Sequence, residues 1–359
     1  MLRLFDRYII RQFLGTFFFI LALIMAIAVV FDISEKTEDF AKMTAGPGEI
    51  IREYYVNFVI YYANFFSGLL IFLAVILFTS RLAHRSEVIA ALSGGISFPR
   101  LMWPYFVAAT FLTLLALAAN HLVLPAANKE RLAFEEEHIR VAFQVKGRNI
   151  HREIAPGTIA YVESFNAQRR TGYRFSLEQW EDGRLTRKLM SERAVYDSLT
   201  GRWHVEDWTL QDIDDTGGTL TRGQALDTLI PLVPSDLGQR NENAMSMTTA
   251  ELDRFVAEER MRGSDTTAFY LIEKHQRTSA PFATYVFTLI GVSISSRKVR
   301  GGTGVHLALG VLLVLLYIFS SKITTVAATN AGLDPLIAVW LPNLIFGAVG
   351  VWLYRTAPK

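Results

Sequence analysis

Six apolar runs, divided three and three by a polar insert of about 140 residues, constrain this chain more than any other feature. The runs are Phe13–Val30, Val56–Thr79, Leu101–Leu124, Ala280–Ile294, Gly304–Val326 and Pro335–Tyr354. A backbone inside hydrocarbon must satisfy its own hydrogen bonds, so each run is predicted to be a membrane helix. Phe13–Val30 follows Arg3, Arg7 and Arg11, as a signal peptide would. It is too long for one and has no small-x-small cleavage site after it, so a retained first span is expected. The fourth run supplies only 15 clean residues, which rise about 22 Å against a ~30 Å hydrocarbon core. Its helix must begin earlier, bringing Glu273, Lys274, His275 and Arg277 to the bilayer edge.

Composition agrees with this mixture. The 359 residues are 51% hydrophobic and 19% charged, more apolar than a soluble domain and less so than a wholly embedded one. There is no cysteine, which excludes disulfides, thiolate chemistry and cysteine-ligated metal. Charge is segregated: residues 125–265 hold 24 of the 34 acids but 19 of the 36 bases. A basic membrane part with an acidic insert argues against nucleic acid as a partner.

The basic residues give an orientation. With the N-terminus inside, the cytoplasmic segments Met1–Arg11, Ser80–Arg100, Ser295–Gly302 and Arg355–Lys359 carry eleven bases against only Asp6 and Glu87. The outer loop Asp32–Glu53 carries six acids and three bases. Both termini are therefore expected in the cytoplasm and the insert outside.

The insert reads as mostly β. Tyr173, Phe175 and Leu177 alternate with polar neighbours, and Thr158–Phe165, Leu185–Met190, Ala194–Tyr196, Trp203–Val205 and Trp208–Ile213 continue the pattern. Turn signals at Glu181-Asp182-Gly183, Leu199-Thr200-Gly201 and Asp214–Gly218 separate them. Short, closely spaced strands suggest a sandwich or jellyroll, with Tyr161, Phe175, Leu177 and Val195 as interior candidates. Helical arms flank it: Pro125–Phe143 extends the third span, and Thr248–Arg262 carries Thr248 and Glu251 in capping-box spacing. The predicted architecture is a six-helix membrane protein with an all-β domain between helices 3 and 4, divided as 1–124, 125–265 and 266–359.

Between the second and third spans, Ser80–Leu101 reads SRLAHRSEVIAALSGGISFPRL. Arg85–Leu92 is predicted as a short helix with Val88, Ile89 and Leu92 on one face and Glu87 in its first turn. Gly94-Gly95 stops it, and Ser97 then Pro99 start the next helix. Such a connector is a tight turn, a helix lying on lipid, or a plug for the groove of a soluble partner.

Lys322 lies deep in the fifth span, some 27 Å from its inner end at helical rise, and is expected to face protein, a wet cavity or an anionic lipid head. Lys274 and Arg277 either snorkel, with Glu273 paired to Arg277, or line a site for an anionic ligand. Lys36 and Lys42 are weaker versions, set among Glu35, Glu38 and Asp39. Catalytic signatures are missing: there is no GxxxxGK[ST], and the seven histidines show no metal spacing. His138 beside Glu135–Glu137 reads as a solvated helix face, while His306 and Asn343 lie in spans without an obvious partner. The chain is read as non-catalytic, with no metal and no cofactor of its own.

Three stretches carry a resemblance: LFDRYIIRQFLGTF (Leu4–Phe17), RLAHRSEVIAALSGGIS (Arg81–Ser97) and WLPNLIFG (Trp340–Gly347). With the span pattern, they resemble the LptF/LptG permease family of the lipopolysaccharide export ABC transporter. The resemblance implies that the Ser80–Leu101 loop holds the coupling helix seated in the ATPase LptB. Glu87 matches the family's acidic coupling residue, with Arg85, Ser86, Val88 and Leu92 around it. It implies a periplasmic jellyroll handing acyl chains toward LptC and LptA, a gate formed by the first and fifth spans, and Lys322 near a lipid A phosphate. ATP would be bound by the partner ATPase. One departure is Ala28-Val29-Val30-Phe31, where relatives can carry a base at the outer end of the first span. The LFDRYI start and RWHVEDWTLQDID (Arg202–Asp214) look more like LptG, with LptF then the partner permease. Two other classes stand beside this one: a membrane-anchored envelope-binding or assembly protein without transport, and an ion-coupled transporter, for which no midplane acid or histidine pair is found.

Overall fold

A computed structural model describes residues 4–43, 45–139, 149–166, 169–198, 200–214, 217–237, 243–261, 267–297 and 302–357. The chain divides into two compact units. Met1–His138, Met245–Leu252 and Ala268–Lys359 form a helical unit, and Ile139–Ala244 with Asp253–Thr267 form a sheet unit.

All six predicted spans fall on helices long and apolar enough to cross a membrane. They run further than their apolar cores. α1 is Leu4–Glu35 and is followed by α2 (Thr37–Lys42). α3 (Pro47–Glu49) and a π-helical stretch, Ile50–Tyr55, lead directly into α4 (Val56–His84). α5 is the short Glu87–Ser93. α6 (Phe98–Ala118) continues through a π stretch at Ala119–Val123, α7 (Leu124–Phe134) and a second π stretch at Glu135–Ile139. The outward extension of the third span is thus present to Ile139, and 140–148 lie outside the described residues. Pro125, second in α7, cannot donate to the helix before it, and the wider π turn meets it there.

The fourth span begins early, as its length required: α11 is Thr267–Ser295. It is also the most enclosed of the six. Thr284, Thr288 and Ser293 on it are buried, so protein rather than lipid surrounds much of it. That accounts for its short apolar run, because small and polar residues suit helix–helix contact in a membrane. α12 (Gly302–Asn330) and α13 (Pro335–Thr356) complete the unit. Gly291 lets α11 approach α4 closely, since a Cβ there would stand 2.7 Å from Cγ1 of Val75. Among its apolar cores are one of α1, α4 and α6 around Phe13, Phe78 and Tyr105, one of α4, α11, α12 and α13 around Phe72 and Phe287, and a smaller one of α11, α12 and α13 around Ile272 and Ala338.

The helical unit also holds polar pairs that local sequence did not reveal. Ser80 Oγ lies 3.0 Å from Nδ1 of buried His306. Asn343 accepts from Tyr317 and donates to the Ser279 carbonyl at 2.9 and 2.8 Å. Glu135 is not a solvated face residue; it is buried against Arg131 at 2.6 Å. His138 stacks on Phe134 with ring centroids 4.5 Å apart. After the last strand come α8 (Pro234–Leu237), α9 (Asn243–Ser246) and α10 (Thr249–Met261). The capping box at α10 forms, with Thr248 N–H donating to Glu251 at 2.8 Å.

The sheet unit is one antiparallel sheet in the order β1-β2-β3-β4-β5-β6. Its strands are Ile150–Ala155, Thr158–Asn166, Thr171–Glu181, Arg184–Asp197, Arg202–Asp214 and Gly217–Thr228. Every strand pairs with its sequence neighbour, because tight turns leave no length to cross over. Asp182 and Gly183, at φ 49° and 78°, make the two-residue hairpin that the sequence signalled. The sandwich or jellyroll suggested by strand spacing is, among the described residues, one six-stranded antiparallel meander with one apolar face. That face holds Ala160, Val162, Phe165, Phe175, Leu189, Ala194, Trp203 and Val205, with Ile230, Leu232 and Leu237 packed over it. The Trp203 indole donates to the Leu232 carbonyl at 2.7 Å.

A crease crosses this sheet. The register is unchanged on either side, but Arg174 and Asp207 adopt φ of 48° and 46° and leave the ladder. Core-facing positions then step by three instead of two: Val162 to Phe165, Ser191 to Ala194, Val205 to Trp208. This explains three departures from the sequence reading. Leu185–Met190 and Ala194–Tyr196 are one strand, β4, and Trp203–Val205 and Trp208–Ile213 are one strand, β5. Of the interior candidates, Phe175 and Leu177 are in the core, whereas Val195 is displaced by Ala194 and Tyr196. Tyr161 is on the opposite face, its hydroxyl donating to Asn149 at 2.8 Å. β1 and β6 were not read from the sequence at all.

Candidate functional site

The loop Ser80–Leu101 becomes an elbow between α4 and α6. Arg85 is the residue after α4, its N–H bonded to the Arg81 carbonyl at 3.0 Å. Ser86 turns the chain in the left-handed region, φ 62°, a conformation that costs a non-glycine residue about 1–2 kcal/mol. α5 therefore starts at Glu87, two residues after its expected start. Its end follows the glycine signal closely. Gly95, at φ 86°, donates to Leu92 at 3.0 Å, and Ile96 donates to Ala91 at 3.1 Å. These are the two bonds of a Schellman motif, and Ile96 and Leu92 both reach the underlying core.

The helix is anchored by one side and open on the other. Val88 is 2% exposed, packed in the same core as Leu82 and Phe98, and Leu92 is half-buried there. Ile89, expected beside them, points outward and is 48% exposed. Val88 and Ile89 are 100° apart on a helix, so a seven-residue helix cannot turn both inward. The outward surface is formed by Arg85, Ile89, Ala90 and Ser93, with Glu87 half-buried at its start. Glu87 and Arg85 approach only to 3.9 Å, an exposed pair too loose to hold the carboxylate against a better partner. Ser86, Val88 and Leu92 thus hold the elbow in place, while Arg85, Glu87 and Ile89 present its chemistry.

A buried ion pair fixes the elbow's exit. Arg100, in the first turn of α6, donates from both Nη atoms to the two carboxylate oxygens of Asp6 at 2.7 Å. Asp6 is 1% exposed. Phe98 packs on Tyr354 of α13 at 5.7 Å, so α1, α5, α6 and α13 meet at this end of the unit. Arg7, Arg11, Arg81 and His84 are exposed around it.

The basic residues considered as lipid contacts separate into different environments. Lys322 on α12 is exposed and, among the described residues, makes no hydrogen bond or ion pair. Arg277 is 5% exposed, bonded to Glu273 at 3.2 Å and to the Met247 carbonyl at 2.8 Å, and so is committed to holding α11 in place. Lys274 on the same helix is half-buried. Lys36 pairs with Asp32 at 2.8 Å, rather than with the nearer acids, and also contacts the Tyr54 hydroxyl. Tyr54 and Tyr55 both donate to Asp32 at 3.2 Å, which ties the end of α1 to the start of the second span. The Lys42 side chain lies outside the described residues. No group of three histidine, aspartate or glutamate side chains within reach of one metal ion occurs among the described residues.

Compared with known families, residues 7–356 match the family described as lipopolysaccharide export system permease LptF/LptG. No curated protein gives a significant match.

Proposed function

Since the chain belongs to the lipopolysaccharide export permease family LptF/LptG, we propose that it is the membrane subunit of an ABC transporter and extracts lipopolysaccharide from the inner membrane. The observation that carries this reading is the elbow. A short helix, braced by its own core on one side, presents Arg85, Glu87 and Ile89 on the other. An anionic residue beside an exposed isoleucine suits the groove of a separate ATPase such as LptB. ATP stays with that partner, and this chain converts its closure into movement of α1 and α6. The pair Asp6–Arg100 links those helices at the elbow.

In this reading both termini and α5 are cytoplasmic, and the sheet unit is periplasmic, where it hands acyl chains toward LptC and LptA. Lys322, exposed and without a partner among the described residues, is the lysine that would meet a lipid A phosphate. The Leu4 start and the Arg202–Asp214 stretch favour LptG, with LptF as the second permease. Affinity purification from membranes through this chain tests the proposal. It predicts recovery of an ATP-binding-cassette ATPase and a second six-span permease. Recovery of the chain alone, with its sheet unit still binding envelope lipid, would support an anchored binding protein instead.

A further inference from the structure

The sheet unit has a second face that its core does not use. From the register, His151 stands beside Tyr161, Tyr161 beside Ser176, Ser176 beside Met190 and Met190 beside Thr209. These five residues form one row across five strands. In the next row Glu178 pairs with Lys188 at 2.8 Å. Where the crease crosses, Arg174, Glu192 and Asp207 line the edge of the same depression, whose volume is about 520 Å³. That is the size of ordinary small-molecule sites, about 300–1,000 Å³.

The lining selects among ligands. Lys188 is neutralised by Glu178, and Arg174 by Glu163 at 2.9 Å. The depression therefore has no surplus positive charge for a phosphate. It offers instead an aromatic floor, the Tyr161 and His151 rings with centroids 4.8 Å apart. The Tyr161 ring is fixed by its bond to Asn149. Around it lie the hydroxyls of Ser176 and Thr209 and the carboxylates of Glu192 and Asp207. An aromatic face takes the C–H face of a sugar ring, and flanking carboxylates accept its hydroxyl protons.

We propose that this depression is a binding site for neutral sugar rings, and that it holds the saccharide part of lipopolysaccharide. The inference rests on the transport reading above and adds a separate subsite to it.

The test uses full-length protein in detergent and fully deacylated lipopolysaccharide as probe, with binding followed by calorimetry and intact lipopolysaccharide titrated in parallel. The deacylated probe is expected to bind. Tyr161→Ala should weaken it about tenfold, the scale of a lost aromatic contact, while Tyr161→Phe retains most of the affinity. Glu192→Gln, at an exposed position with no partner among the described residues, should weaken it without disturbing the fold reported by Trp203 fluorescence. Binding of intact lipid alone, or equal affinities for wild type, Tyr161→Ala and Glu192→Gln, overturns the sugar site and leaves the transport reading standing. Failure of both probes to bind overturns the sugar site and counts against lipopolysaccharide as cargo as well.

Discussion

Asp6 and Arg100, 94 residues apart in sequence, form a bidentate ion pair in which both carboxylate oxygens accept a bond at 2.7 Å. Asp6 is buried, so removing Arg100 leaves a carboxylate without its counter-charge. Arg100→Asp and Asp6→Arg should each lower the thermal midpoint of the purified protein. The exchanged pair Asp6→Arg with Arg100→Asp should recover part of the loss, as a double-mutant cycle reads it. Additive losses would show that the two residues act independently.

Gly95 tests the end of α5 by itself. Its φ is 86°, and a Cβ there would meet no atom within 4 Å, so only backbone strain is introduced by Gly95→Ala. The cost should be about 1 kcal/mol, read as faster proteolysis within Ser80–Leu101 while the rest of the chain stays protected.

The sheet unit depends on the segment that follows β6. Leu232 is 1% exposed and receives the Trp203 indole bond on its carbonyl. Leu232→Ala should cost roughly 2–5 kcal/mol and shift Trp203 emission to the red. An unshifted spectrum and unchanged midpoint would mean that Leu232 does not cover the core.

Glu178 gives the sheet unit an acid dependence. The hydrogen bond from Lys188 holds its carboxyl below the usual glutamate value. A depressed folded-state pKa stabilises the fold above the unfolded value, near 4.5. That contribution is lost as pH falls through the folded value. Glu178→Gln should therefore flatten the fall of thermal midpoint with pH below about 4.5, and leave its behaviour near neutrality similar in shape.

What was legible in the sequence was set by local or one-dimensional rules. Bilayer thickness fixes span length, so all six helices could be placed, and the shortfall at Ala280–Ile294 correctly pointed to an earlier start. Gly94-Gly95 named the helix stop because a left-handed residue there demands glycine. Asp6–Arg100 and Ser80–His306 were not legible, since nothing local marks a partner that lies 94 or 226 residues away on another helix. Ile89 was misplaced because α5 is too short for its apolar residues to define one face. The crease escaped for a different reason. Alternation assumes a constant period, and Arg174 and Asp207 shift its phase, which split β4 and β5 and turned Val195 out of the core.

The central claim is that α5 transmits the work of a separate ATPase. The most direct measurement is ATP-driven release of lipopolysaccharide to an acceptor from vesicles holding the complete complex, comparing wild type with Glu87→Lys. The account predicts an intact complex that hydrolyses ATP but releases little or no lipid, because the charge facing the ATPase is reversed while Val88 and Leu92 still hold the elbow. Release by Glu87→Lys at the wild-type rate would contradict it.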